Sequence, residues 1–149
     1  MSQSLPTNPI LSLSFRMLLR RFAAATSRAS VARFSSRGGA SLVKELAEHA
    51  EYEQLIARPD AKSVVYFTAA WCGPCKMISP IYANLSNKNE DISFVKVDVD
   101  ELDHTAHVAG VRSMPTFQFY ANGKLQQSLG FSGADPTLLE SNVNKLKTL

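Results

Sequence analysis

Ser63-Val64-Val65-Tyr66-Phe67-Thr68-Ala69-Ala70-Trp71-Cys72-Gly73-Pro74-Cys75 runs an apolar segment directly into a Cys-x-x-Cys pair. Residues 63–69 carry no charge, which suits a central strand covered on both faces. From Cys75 to about Asn87, Met77, Ile78, Ile81 and Leu85 recur at helical spacing, and Pro80 inside that stripe is expected to bend the helix. The two cysteines therefore fall where a buried strand hands over to a helix.

That position has chemical consequences. The first N–H groups of a helix lack intrahelical partners, and its positive dipole end favours anions. Both effects favour the thiolate of Cys72, the form that attacks a disulfide. Cys75, one turn on, can then attack the resulting mixed disulfide and release the reduced client. Pro74 costs little in a first turn, where its missing N–H would have no partner, and it stiffens the loop.

Outward from the pair, strand and helix patterns alternate. Leu42-Val43 reads either as part of a single helix through Arg58 or as a short edge strand before a helix over 45–57. Residues 92–99 alternate Phe94, Lys96 and Asp98 against Val95, Val97 and Val99, a second strand. Residues 102–109 suit a short polar helix. Residues 115–120 and 124–129 flank Asn122-Gly123, a hairpin signal. Asp135-Pro136 supplies a cap and a first-turn proline for a last helix buried through Leu139, Val143 and Leu146. The order β-α-β-α-β-α-β-β-α predicts an α/β fold with five strands and four helices.

The totals divide the chain in two. Its 149 residues, 45% hydrophobic, allow one ordinary domain plus an appendage. Residues 1–40 hold six arginines (Arg16, Arg20, Arg21, Arg28, Arg33 and Arg37) and eight serines, without lysine or acid. From residue 41 on, ten basic and thirteen acidic side chains leave a net charge of −3, so the overall +3 comes from the leader. Basicity here is an address rather than a sign of nucleic-acid binding. Wound as a helix, residues 11–22 gather Leu11, Phe15, Leu18, Leu19 and Phe22 opposite Arg16, Arg20 and Arg21, the amphipathic pattern of an import signal.

Residues 1–38 are thus expected to be a cleavable organelle transit peptide, disordered in the mature context, with cleavage near Arg33-Phe34-Ser35-Ser36. The mitochondrial matrix is the expected compartment and the chloroplast stroma the alternative; a basic arm adhering to anionic surfaces is the plainer reading. The arginines between Ile10 and Ala25 exclude a membrane span there.

Trp71-Cys72-Gly73-Pro74-Cys75-Lys76 resembles the signature of the thioredoxin family, and the resemblance extends over residues 41–149. Pro80 matches the family's helix-bending proline, Lys96 its buried lysine on the third strand, and Val111-Arg112-Ser113-Met114-Pro115-Thr116 the loop with a cis proline. The run from Val65 to Cys72, with the leader, is most similar to plant mitochondrial o-type thioredoxins. The resemblance implies a thioredoxin fold with a central mixed five-stranded sheet, a protein-disulfide reductase activity, and a redox disulfide Cys72-Cys75 with Cys72 as nucleophile and Cys75 as resolving thiol. It implies a client groove formed by Trp71, Gly73, Pro74, Met114, Pro115 and Gly130. No cofactor is expected to be bound, and a monomer is expected. Electrons are expected from NADPH through a flavin thioredoxin reductase, or from a ferredoxin-linked reductase in a plastid, for transfer to disulfide-containing client proteins.

One position departs from the family. Six residues before the first cysteine, where relatives carry a buried aspartate, this chain has Tyr66. A phenol is a poor base at pH 7, so Cys75 is expected to be activated by water or within the cysteine pair, and Lys96 is expected to lack its usual carboxylate partner. The competing class is a metal- or cluster-binding protein using Cys72 and Cys75, since Cys-x-x-Cys is half of many zinc sites. No second pair exists, and His49, His104 and His107 read as solvent-facing helix residues, so no metal site is expected within the chain. A purely structural bridge is disfavoured because so small a loop removes little unfolded-state entropy.

Overall fold

The computed structural model of the protein describes residues 41–149; the expectations for the leader lie outside them. The elements are β1 (Lys44–Glu45), α1 (His49–Ile56), β2 (Lys62–Thr68), α2 (Gly73–Lys88), β3 (Ile92–Asp98), α3 (Asp103–Val108), β4 (Thr116–Ala121), β5 (Lys124–Leu125), β6 (Phe131–Ser132) and α4 (Pro136–Lys147). The sheet runs β1-β3-β2-β4-β5, with β6 also paired to β4. β1 and β2 are parallel to β3, and β4 is antiparallel to β2, β5 and β6.

The sheet is mixed, as expected, but has six strands instead of five. The predicted strand over 124–129 stops at Leu125, and a separate two-residue strand forms at Phe131–Ser132. Between them the Leu129 and Gly130 N–H groups turn back onto Gln126 O, at 3.0 and 3.3 Å, removing them from the ladder. The first edge strand also sits two residues later than Leu42-Val43, at Lys44–Glu45, which takes Glu45 out of the predicted helix.

Period-two alternation distributes the strands' side chains between two cores. Val64, Tyr66, Phe94, Phe117 and Phe119 pack with Ile78, Tyr82 and Leu85 of α2 and with Leu139, Val143 and Leu146 of α4. On the opposite face Val65, Phe67, Val95 and Val97 meet Leu46, Tyr52, Ala106 and Tyr120. The α4 stripe is fully buried, as its spacing predicts. Each such side chain contributes about 1.5–3 kcal/mol through burial.

On α2 the buried residues are Cys75, Ile78, Tyr82, Leu85 and Ser86, whereas Met77 is 73% exposed. The expected stripe was therefore a quarter-turn too wide. Asn122 and Gly123 take φ of 54° and 71°, the conformation a tight two-residue hairpin requires. Asp135 caps α4 by accepting the Leu138 N–H at 3.0 Å, ahead of Pro136 in the first turn.

Candidate active site

β2 ends at Thr68, and the chain turns over residues 69–72, where the Cys72 N–H donates to Ala69 O at 3.1 Å. Cys72 is the N-cap of α2, and its Sγ accepts the Cys75 N–H at 3.2 Å. A sulfur thus takes one of the donors that a helix start leaves free. The same N–H is a stronger partner for a thiolate than for a neutral sulfur.

Cys72 and Cys75 are joined by a disulfide, with their Cα atoms 5.3 Å apart. Trp71 stands 66% exposed beside them, while Cys72 and Cys75 are 4% and 1% exposed. Gly73 and Pro74 are exposed in the first turn, and nothing lies within 4 Å of the place a Cβ on Gly73 would occupy.

The opposite wall comes from β4. Register pairs Phe67 with Thr116, so the segment before Thr116 reaches the end of the sheet from which the cysteine turn emerges. That segment leaves α3 through Gly110, whose φ of 70° closes the helix: Gly110 N–H bonds His107 O and Val111 N–H bonds Ala106 O, each at 3.0 Å. The Met114-Pro115 peptide is cis, Pro115 is buried, and Met114 is half-buried against the cluster containing both cysteines.

Gly130 lies elsewhere in this wall, its Cβ position 3.5 Å from Phe117 O and 3.7 Å from Gln127 O. The glycine bonded to the proline is Gly133, whose N–H donates to Pro115 O at 2.8 Å. Sequence reasoning passed over Gly133; both glycines occur in the same Gly-Phe-Ser-Gly run, and no local signal separates them.

Beneath the pair, the Tyr66 hydroxyl donates to Cys75 O at 2.9 Å and lies 3.2 Å from Ser79 Oγ, which also bonds Cys75 O at 2.8 Å. Tyr66, not a carboxylate, pairs with Lys96 from β2, and Lys96 finds a different carboxylate: its Nζ is 3.0 Å from Glu45 Oε1. The partner comes from β1, which pairs Glu45 with Lys96 across the sheet. Lys96 lies on β3 between β1 and β2 and is half-buried rather than enclosed.

Among the described residues no group of three or more His, Cys, Asp or Glu side chains converges as metal ligands would. His104 and His107 are exposed, as expected, but His49 is half-buried with Nδ1 2.9 Å from Thr105 Oγ1. No helix among these residues is long and apolar enough to cross a membrane.

The thioredoxin family model matches residues 43–145. The chain belongs to the thioredoxin family. Thioredoxin of Gallus gallus is 43% identical over 106 residues, 70% of this chain and 99% of the relative. Thioredoxin of Homo sapiens is 41% identical over 107 residues, again 70% and 99%. Two solved structures are also similar: mitochondrial thioredoxin 3 of Saccharomyces cerevisiae in its oxidised form (TM-score 0.63, 38% identity, 72% of this chain and 95% of that one), and thioredoxin O2 of Arabidopsis thaliana in its oxidised state (TM-score 0.64, 37% identity, 71% and 95%).

As a thioredoxin, the chain is a protein-disulfide reductase working by dithiol-disulfide exchange through its Cys-Gly-Pro-Cys site. It needs no bound cofactor, is reduced by a thioredoxin reductase and passes the electrons to disulfide-containing clients.

Proposed function

We propose that this thioredoxin is the o-type reductase of the mitochondrial matrix, delivered by residues 1–38 as a cleavable transit peptide and working as a monomeric domain over 41–149. The observation that carries its chemistry is the Cys75 N–H held 3.2 Å from Cys72 Sγ at the first turn of α2. That donor and the helix dipole stabilise a sulfur anion on Cys72, which makes Cys72 the nucleophile and Cys75 the resolving thiol.

Trp71, Gly73 and Pro74 on one side and Met114 and Pro115 on the other form the client groove, with the Met114 backbone pairing an extended client segment. Gly130 was the glycine expected to complete it; the Gly133 bond to Pro115 O favours Gly133 at the groove edge. The arginine-rich, acid-free leader and the likeness to yeast mitochondrial thioredoxin 3 and plant thioredoxin O2 support the compartment. In the matrix the electron source is NADPH through a flavin reductase; the chloroplast stroma and its ferredoxin-linked reductase form the alternative.

Insulin reduction by the purified chain with each reductase in turn tests this reading, together with imaging of residues 1–40 fused to a fluorescent protein. Turnover with the NADPH-linked enzyme and mitochondrial fluorescence are the expected results. Turnover with the ferredoxin-linked enzyme alone, or fluorescence in plastids, would move the protein to the stroma.

A further inference from the structure

An extended client segment that lies against Met114 and Pro115 must find its backbone donor on Met114, because Pro115 has no N–H to offer. The Met114 N–H shares a planar trans peptide with the Ser113 carbonyl, and the two groups point in opposite directions. Whatever holds Ser113 O therefore aims the Met114 N–H. That carbonyl accepts the Thr116 hydroxyl at 2.7 Å. Thr116 is 9% exposed, so the carbonyl bonded to it points into the protein and the amide opposite points out. Among the described residues nothing accepts a hydrogen bond from the Met114 N–H, which leaves it available to an incoming chain.

The Thr116 hydroxyl has one hydrogen, and Ser113 O takes it. Ser132 Oγ lies 2.6 Å from the same Thr116 oxygen, so the hydrogen in that contact is the serine's. The sheet makes the contact, because β6 pairs Ser132 directly opposite Thr116. One residue on, the Gly133 N–H donates to Pro115 O at 2.8 Å. Gly133 reaches it with a φ of 109°, a conformation that side chains disfavour. Met114 thus lies between two anchored carbonyls, one held by way of β6 and the other by the glycine that follows it.

We propose that Ser132, acting through the Thr116 hydroxyl and Ser113 O, is a positioning residue that sets client affinity by aiming the Met114 N–H at a carbonyl of an extended client segment. This rests on the reductase reading and the groove given above, and it adds what orients the groove's backbone donor. Hydrogen bonds in a chain polarise one another. The Ser132 hydrogen makes the Thr116 hydroxyl a stronger donor, and the bonded Ser113 carbonyl does the same for the Met114 N–H. The sulfurs take no part in this chain. Its effect falls on clients that lie along the groove, and a small disulfide with no backbone to present escapes it.

A threonine hydroxyl bonded to a carbonyl three residues back also occurs as a plain turn brace. Ser132 separates the two roles. It is exposed, its hydroxyl serves no other partner among the described residues, and a brace would be complete without it. Thr116 and Ser132 also line a cleft of about 260 Å³ beside β5 and β6, so water can replace a deleted hydroxyl there without collapse of the fold.

The test uses the full chain, chemically reduced so that no reductase contact enters. Fluorescence of Trp71, the chain's only tryptophan, follows its oxidation on rapid mixing with insulin or with the small disulfide 5,5′-dithiobis(2-nitrobenzoate). Thr116→Val should lower the second-order rate constant for insulin about fivefold and Ser132→Ala about threefold, with small-disulfide rates within about twofold of the unmodified chain's. Thr116→Ser keeps the hydroxyl and should recover insulin reduction to within about twofold. Ser132→Ala added to Thr116→Val should cost nothing further, because the serine acts through the threonine. Unchanged insulin rates in both single variants, equal losses on insulin and the small disulfide, no recovery in Thr116→Ser, or additive losses in the double variant would each overturn the proposal. Failure of the unmodified chain to reduce insulin, or reduction that survives Cys72→Ser, would instead sink the reductase reading. Should thermal melts show Thr116→Val unfolded, Ser132→Ala and the hydroxyl-keeping Ser132→Thr, at an exposed position, decide alone.

Discussion

Single atoms carry most of the chemistry in this thioredoxin. Cys72 Sγ receives a backbone N–H only because Cys72 occupies the N-cap of α2, and Cys75 is covered only because it lies one turn deeper. Trp71 is the complementary case, a large apolar side chain left 66% exposed at the edge of the pair. A residue so exposed adds little to folding, and its area is available for a partner. Trp71→Ala should therefore change unfolding free energy by no more than about 0.5 kcal/mol while raising KM for insulin or reductase several-fold, as paired urea titrations and steady-state kinetics would show. A large stability loss with unchanged KM would make Trp71 a packing residue. The cysteine, tryptophan and proline positions were legible because each has a local signature. The Glu45–Lys96 pair and the Gly133 bond to Pro115 were not, since each joins positions about 50 or about 20 residues apart through the sheet.

Elements differ in how much of themselves they announce. β2 and β3 are long, apolar and alternating, and the reading found them within a residue at each end. β1, β5 and β6 have two residues each, too few to express a period, and exist because a longer strand offers hydrogen bonds at its edge. The α2 stripe was half legible: Ile78, Tyr82 and Leu85 follow i, i+4, i+7, but the hydrophobicity of Met77 diverted the reading from Tyr82. α4 was the clearest, with its cap, proline and stripe all in the sequence. The Asp135 carboxylate satisfies one otherwise free donor, so Asp135→Ala should lower stability by about 1 kcal/mol in urea denaturation and leave insulin reduction unchanged. An unchanged midpoint would show that water replaces the cap.

At the scale of the whole molecule, two cores on opposite faces of one sheet share a feature invisible in composition: buried phenols. Tyr82 lies with the α2/α4 core, and Tyr52 and Tyr120 lie in the opposite one, their hydroxyls 2.8 Å apart. Tyr120 also donates to Gln118, whose amide bonds Ala109 O, so the network spans α1, β4 and the end of α3. Burial raises the pKa of Tyr82 and Tyr52, and burial followed by the hydrogen bond with Tyr52 raises that of Tyr120.

For an acid whose folded pKa is raised, the folded state holds the proton more tightly than the unfolded one. The contribution to stability is complete below the unfolded phenol value of about 10 and is lost as pH rises above it. Absorbance at 295 nm should accordingly show these three phenols ionising together with loss of far-ultraviolet ellipticity above about pH 10. Ionisation of all three well before any unfolding would contradict their burial.

The proposed division of labour between the two sulfurs is open to direct measurement. Mass spectrometry of Cys75→Ser and Cys72→Ser chains incubated with an oxidised client measures it directly. The Cys75→Ser protein should accumulate a client bonded through Cys72, and the Cys72→Ser protein should hold none; a client retained equally on Cys75 would contradict the assignment.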